Sequence, residues 1–233
     1  MFTVKIEEVI EHNEKYSTII FDRSFRAYPG QFIMLHVFGL EEIPLSLSSE
    51  SSVTVKAVGE TTKYLVKIKP GTRVGVKGPL GNPFSPTSGK ALIIAAGIGA
   101  APLAFLHKFL RKYAEDVAVI YAARSYDDLI FLESFGECRV ATEDGSYGEQ
   151  GTVFDLVYSE DLEEYDKIYA CGPEIVLRGL YNYFKELGME KNVEMSLERY
   201  MKCGIGVCGS CVIGNGMRVC VEGPVFNCAD IVW

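Results

Sequence analysis

Four cysteines near the end of the chain carry the strongest chemical signal: Cys203, Cys208, Cys211 and Cys220. The first three form Cys-x4-Cys-x2-Cys, and the fourth follows after eight intervening residues. Three thiolates on one tight loop with a fourth from a later segment is the plant-type arrangement for a [2Fe-2S] cluster. Gly204, Gly206 and Gly209 fit that loop, because amides turned toward sulfur require backbone angles that glycine adopts cheaply. Zinc is the rival reading, but its sites pair short Cys-x2-Cys or Cys/His hooks, and here one Cys-x2-Cys has an extra cysteine upstream. Seven cysteines is an odd number, and the first residues do not resemble a secretory signal, so a reduced, cytoplasmic protein is expected rather than a disulfide framework.

A second signal is a pair of glycine-containing turns. Gly97-Ile98-Gly99-Ala100-Ala101-Pro102 follows an apolar run and opens a helical pattern; glycines there let a pyrophosphate approach the backbone beside a helix N-terminus. Tyr169-Ala170-Cys171-Gly172-Pro173 has the same strand-turn-helix setting. Replacing Gly99 by Val is expected to raise KM for a nicotinamide dinucleotide, NADH, bound there without loss of any other cofactor. Arg124, with Ser125, Asp127 and Asp128 after it, offers either a 2′-phosphate partner or a ribose partner, and the acids favour NADH over NADPH.

The elements that must position these residues divide the chain. Within 1–87, short strands are predicted over 2–6, 17–21, 31–37, 45–48, 53–58 and 74–77, with a short helix over 61–68; six such strands suggest a small closed antiparallel barrel. The turn formers from Gly78 to Pro86 are expected to end the barrel. Within 88–197, continuous apolar strands over 91–96, 117–122, 139–142, 167–170 and 193–197 alternate with helices, the clearest over 100–115 and 174–187. That alternation predicts a parallel α/β sheet with ligands at its carboxyl edge. The cysteine segment, 198–233, is the third unit. Trp233, the single tryptophan, is expected in an exposed tail.

Bulk composition narrows the function classes. The 233 residues are 48% hydrophobic and 23% charged, which predicts packed domains rather than disorder. A formal net charge of −8, with no basic cluster, argues against a nucleic-acid partner. The longest apolar run, 91–106, is broken by Gly97, Gly99 and Pro102, so a membrane span is not expected. His12, His36 and His107 are far apart in sequence, leaving no histidine metal site.

The barrel half also carries Pro29-Gly30-Gln31-Phe32, Ile43-Pro44-Leu45-Ser46 and Gly59-Glu60-Thr61-Thr62. In this order they resemble the flavin-binding elements of the ferredoxin-reductase superfamily. The resemblance implies that Ile43, Pro44, Leu45 and Ser46, with Thr54, Val55 and Lys56, face an FAD, and that Gly59, Thr61 and Thr62 hold its pyrophosphate. It further implies that Gly97, Gly99, Ala100, Pro102, Cys171, Gly172 and Pro173 bind NAD(H). Ile43 departs from the pattern, which has arginine there, so Lys56 or backbone amides are expected to neutralise the phosphate.

The tail from Glu198 to Cys211, with Cys220-Val221-Glu222-Gly223-Pro224-Val225-Phe226, resembles the electron-transfer subunits of NAD-linked dihydroorotate dehydrogenase. That resemblance implies Cys220 rather than Cys228 as fourth cluster ligand. It also implies an FMN-containing dihydroorotate dehydrogenase catalytic subunit as partner, two copies of each, and a role in pyrimidine biosynthesis with no catalytic residue for dihydroorotate on this chain. The same layout is similar to flavin subunits of hydrogenases and of NADH-dependent ferredoxin:NADP oxidoreductases, and to free-standing NADH reductases. A zinc-stabilised interaction module is the non-enzymatic alternative.

Overall fold

The computed structural model describes residues 1–233. The first half is β1 (Phe2–Asn13), β2 (Tyr16–Phe21), β3 (Phe32–His36), β4 (Ile43–Ser49), β5 (Ser52–Lys56), helix α1 (Glu60–Leu65) and β6 (Arg73–Leu80). The six strands close an antiparallel barrel in the order β1-β2-β5-β4-β3-β6. Alternation explains the closure: Ile33 and Leu35 of β3 enter the barrel core with Ile6, Ile19, Leu47, Val53 and Val76, while Phe32 and Met34 point outward. Gly78 to Leu80 continue β6 instead of ending it, because Phe32 pairs with Leu80 across a register shift and Gly78 takes a φ of 143°.

The second half contains β7 (Lys90–Ala96), α2 (Ala100–Leu110), β8 (Asp116–Ala123), α3 (Leu132–Phe135), β9 (Arg139–Thr142), β10 (Glu149–Gln150), α4 (Val153–Tyr158), β11 (Lys167–Cys171), α5 (Glu174–Glu186), β12 (Val193–Ser196) and β13 (Val225–Asn227). They form one sheet ordered β10-β9-β8-β7-β11-β12-β13, parallel throughout except for the β12–β13 pair. The central strand β7 is buried on both faces, which is why it reads as an unbroken apolar run. α2 stops at Leu110, short of the predicted 115, because the chain turns there so that the Glu115 amide reaches the carbonyls of Ser88 and Gly89. α5 ends before Leu187, which is exposed; Gly188 follows in the left-handed region. No helix is long and apolar enough to cross a membrane.

The cysteine segment is not a separate bead. β13 extends the nucleotide-domain sheet, pairing Met195 with Phe226, and Phe32 and Met34 of the barrel share one core with Met195, Met201, Cys211, Val219, Cys220 and Phe226. Gly81 has no room for a Cβ because the Pro224 ring lies against it, and the Asn82 amide donates to the Gly223 carbonyl at 2.6 Å. Trp233 is no loose tail either: Arg178 and Arg199 lie over its ring at 5.1 and 5.6 Å, and Tyr181 meets it edge-on. Truncating the shared core should therefore weaken the whole chain. Phe226→Ala is expected to cost about 3–5 kcal/mol, read as an earlier single transition in urea unfolding followed by circular dichroism.

Candidate functional site: a cavity leading to a cysteine loop

The cysteine loop is irregular, and its turns depend on glycine. Gly204, Gly206 and Gly209 have φ of 70°, 81° and 71°. The Ile205 amide donates to Cys203 Sγ at 3.5 Å, and that bond, with the amides of Cys208 and Val207, lowers the Cys203 pKa. Cys208 is lowered to about 6, chiefly by the hydroxyl and amide of Ser210, whose Oγ lies 3.4 Å from the sulfur. Cys220 is pushed up to about 12, first by burial and then by its neighbour Cys211.

Cys203 lies beside Cys208, and Cys211 beside Cys220. No three His, Cys, Asp or Glu side chains converge on a single-ion position. Four cysteines on and beside a glycine-turned loop, with amides directed at Cys203 and Cys208, supply the ligand types of an iron–sulfur cluster. Cys228 is fully buried in the core, where burial raises its thiol to about 12, and Cys138 is half-buried on the far side of the nucleotide domain.

Two charged clamps hold the loop. Arg218 donates to both carboxylate oxygens of Glu222 and, at 2.8 Å, to the Gly206 carbonyl; the guanidinium holds Glu222 down to about 2. From the barrel, Lys77 Nζ reaches the Cys203 carbonyl at 3.3 Å while pairing with Glu42 at 2.6 Å.

Beside the loop lies a cavity of 560 Å³ between barrel and sheet. Ile43, Pro44, Leu45 and Ser46 of β4 line it with Thr54 and Lys56 of β5, Thr62 of α1, and Pro102 of α2. Four other expected residues sit behind the wall. Val55 points into the barrel core, Ala100 and Cys171 into the sheet core, and Thr61 is buried with its hydroxyl on the Glu41 carbonyl. Gly59 caps α1, but the Thr62 hydroxyl accepts from the Val58 and Gly59 amides, so that pair of donors is already engaged. Lys56 lines the wall where the expected arginine is absent, yet its Nζ is 3.7 Å from Asp128 and 5.1 Å from the Tyr16 ring centroid. Asp128 itself is buried and accepts from the Tyr16 hydroxyl at 2.5 Å, so it is not the free ribose partner that the sequence suggested.

Gly97, Gly99, Gly172 and Pro173 occupy the two turns at the carboxyl ends of β7 and β11, neighbouring strands at the point where the connections change side. Gly97 has φ of 53° and open space beyond its Cα, the geometry of a backbone that a ligand can approach. Gly99 does something else. A Cβ there would overlap the Cys171 carbonyl and lie 2.6 Å from the Gly172 nitrogen, so this glycine lets the two turns interlock. The KM-only expectation for Gly99→Val is corrected accordingly.

The connector Leu197–Met201, just after β12, also lines the cavity, a wall that no motif in the sequence marks. Its position at the carboxyl end of a parallel strand was the signal that could have found it. Glu198 is reached by solvent through the cavity mouth yet closely ringed by protein, and that desolvation raises its carboxyl above the ordinary value. Arg199 pairs with Glu174 at 3.0 Å, and the Tyr200 hydroxyl crosses the mouth to Glu41 at 2.7 Å.

A barrel, a nucleotide-binding sheet, a cavity at their seam and a cysteine loop beside it define the class: a ferredoxin-reductase-like electron-transfer oxidoreductase with an iron–sulfur segment. Residues 198–232 match the family model described as the iron-sulfur cluster binding domain of dihydroorotate dehydrogenase B. The chain is 51% identical, over the full length of both proteins, to the probable dihydroorotate dehydrogenase B (NAD(+)), electron transfer subunit, of Archaeoglobus fulgidus. Its identity to the protein of the same description from Methanocaldococcus jannaschii is 39%, over 95% of this chain and 88% of that one.

Among solved structures, a chain of the NADH-dependent reduced ferredoxin-NADP oxidoreductase superposes with a TM-score of 0.86 at 28% identity, covering 100% of this chain and 91% of that one. A ferredoxin NADP+ reductase from Neisseria gonorrhoeae shares the fold at TM-score 0.67 and 18% identity, over 83% and 97% of the two chains. The chain belongs to the family of dihydroorotate dehydrogenase B (NAD(+)) electron transfer subunits.

The interlocked turns give a direct test. Gly99→Val is expected to lower stability by about 3 kcal/mol through overpacking against the Cys171–Gly172 backbone, read as a fall in melting temperature with NADH absent.

Proposed function

We propose that this subunit takes electrons from NADH on a bound FAD, passes them to a [2Fe-2S] cluster, and exchanges them with the FMN of a partner that oxidises dihydroorotate in cytoplasmic pyrimidine synthesis. The observation that carries this reading is one of continuity. The cavity wall formed by Leu197–Met201 runs directly into Cys203, so the flavin cavity and the cluster loop share a stretch of chain. Flavin chemistry joins two-electron hydride exchange to one-electron cluster chemistry.

In this reading Ile43, Pro44, Leu45, Ser46 and Thr54 bind the flavin face, with Val55 contributing backbone only. Lys56, Gly59, Thr61 and Thr62 lie on the phosphate side, with Lys56 shared between the phosphate and Asp128. The nucleotide is held at Gly97 and Pro102 and at Gly172 and Pro173, with Ala100 and Cys171 contributing backbone only and Gly99 keeping the two turns together. Cys203, Cys208, Cys211 and Cys220 ligate the cluster, and the inward amides of the loop stabilise its negative charge.

Cys208 is exposed, with the bare side chains of Ile205 and Val207 beside it, 56% and 77% exposed. Apolar residues around the outermost sulfur suit a docking face for the partner flavoprotein. A heterotetramer with two of each subunit accommodates one such face per copy.

Cys220→Ser is expected to abolish the [2Fe-2S] absorbance while flavin stays bound, and Cys228→Ser to retain both chromophores; the reverse pattern would assign the fourth ligand to Cys228. Val207→Asp should leave NADH reduction of the bound flavin unchanged but prevent co-purification with a dihydroorotate-oxidising flavoprotein. Isolation of wild-type protein as a fully active monomer with no such partner would refute the subunit reading.

A further inference from the structure

α2 packs on β4, and the seam between them opens at both ends. At the end where α2 begins lies the cavity already described. At the other end a larger groove, 860 Å³, is bounded by the β4–β5 hairpin and the last turns of α2. Its α2 side carries Lys108, Arg111 and Lys112, spaced so that all three share one face of the helix end, and none of them has an acidic partner.

The facing wall is Ser48, Ser49 and Ser51, with the Ser48 and Ser49 hydroxyls held near Ser52 at 3.0 and 2.6 Å. Half-buried rings of Phe109 and Phe131 complete the concavity, and Phe109 is tilted against Tyr113 at 5.1 Å. Glu50 is the one acid in the lining; it accepts from the Ser24 hydroxyl at 3.2 Å. Arg111 also borders an adjoining depression that holds Glu115, Asp116 and Glu137, so the two lysines are the principal cations of the groove.

A helix C-terminus favours cations on its own account. It does not call for a facing row of hydroxyls and two half-buried aromatic rings in the same hollow. Cations with hydroxyls are the partners of phosphate oxygens, and an aromatic face is the partner of a base. We propose that this groove binds a nucleoside polyphosphate, with its phosphates between Lys108, Lys112 and the serine hydroxyls and its base on Phe109. The ligand bridges barrel and nucleotide domain along the seam that also forms the flavin cavity, so its occupancy stabilises their mutual packing.

The test is a calorimetric titration and thermal melt of the flavin- and cluster-loaded protein with ATP, with tripolyphosphate as the second probe. Saturable ATP binding is expected, with a raised melting temperature, and the double variant Lys108→Glu/Lys112→Glu should weaken it by about tenfold or more. NADH kinetics of that variant should be unchanged, since both lysines are exposed and distant from the nicotinamide turns. Phe109→Leu should weaken ATP binding but spare tripolyphosphate. ATP that competes with NADH belongs to the other cavity and overturns the proposal. Equal ATP affinity in wild type and the double variant overturns it too, as does ATP binding no tighter than tripolyphosphate.

Discussion

The structure depends on one close approach: the cysteine segment is pressed into the angle between barrel and sheet. Pro224 lies on the bare Cα of Gly81, Met34 on that of Gly204, and the Asn82 amide fastens Gly223. Glycine is required at 81 and 204 because any side chain would push the two bodies apart. An electron carrier needs its redox centres near one another and held still, and packing of this kind supplies both without a separate linker. The outward residues of β3, Phe32 and Met34, are apolar for the same reason, since the outside of the barrel is here the inside of the protein.

A second constraint acts at the carboxyl edge of the sheet. Two glycine-containing turns end at neighbouring strands β7 and β11, and they interlock so closely that backbone meets backbone. A glycine motif thus serves two ends: Gly97 leaves a surface that a ligand can approach, and Gly99 lets one loop nest in another. Sequence reasoning assigns both to the ligand because both reasons demand the same residue. Only neighbours in space distinguish them.

Charge in the cavity follows a similar logic. Ile43 leaves the barrel wall without the usual arginine, and the cations that do line the cavity, Lys56 and Arg199, each face an acid, Asp128 and Glu174. Lys56 and Asp128 thereby join barrel to nucleotide domain, whereas Arg199 and Glu174 tie the connector after β12 to α5. Glu198, open to solvent at the cavity mouth and without an ion-pair partner, has its carboxyl raised by desolvation from the protein around it.

Much was legible in the sequence by itself. The barrel, the parallel sheet and the cysteine loop each rest on local periodicity or spacing: alternation in strands, apolar runs in buried strands, and glycines where the loop turns left-handed. What tertiary structure alone decided are the relations between distant segments. Cys220 comes to lie beside Cys211, β13 enters the sheet from the far end of the chain, Leu197–Met201 becomes a cavity wall, and Trp233 is clasped by two arginines. Asp128 is withdrawn from the ligand because Tyr16, 112 positions earlier, holds it. Such contacts leave no periodic trace, since a residue's partner across a seam is set by the packing of whole elements rather than by its neighbours in the chain.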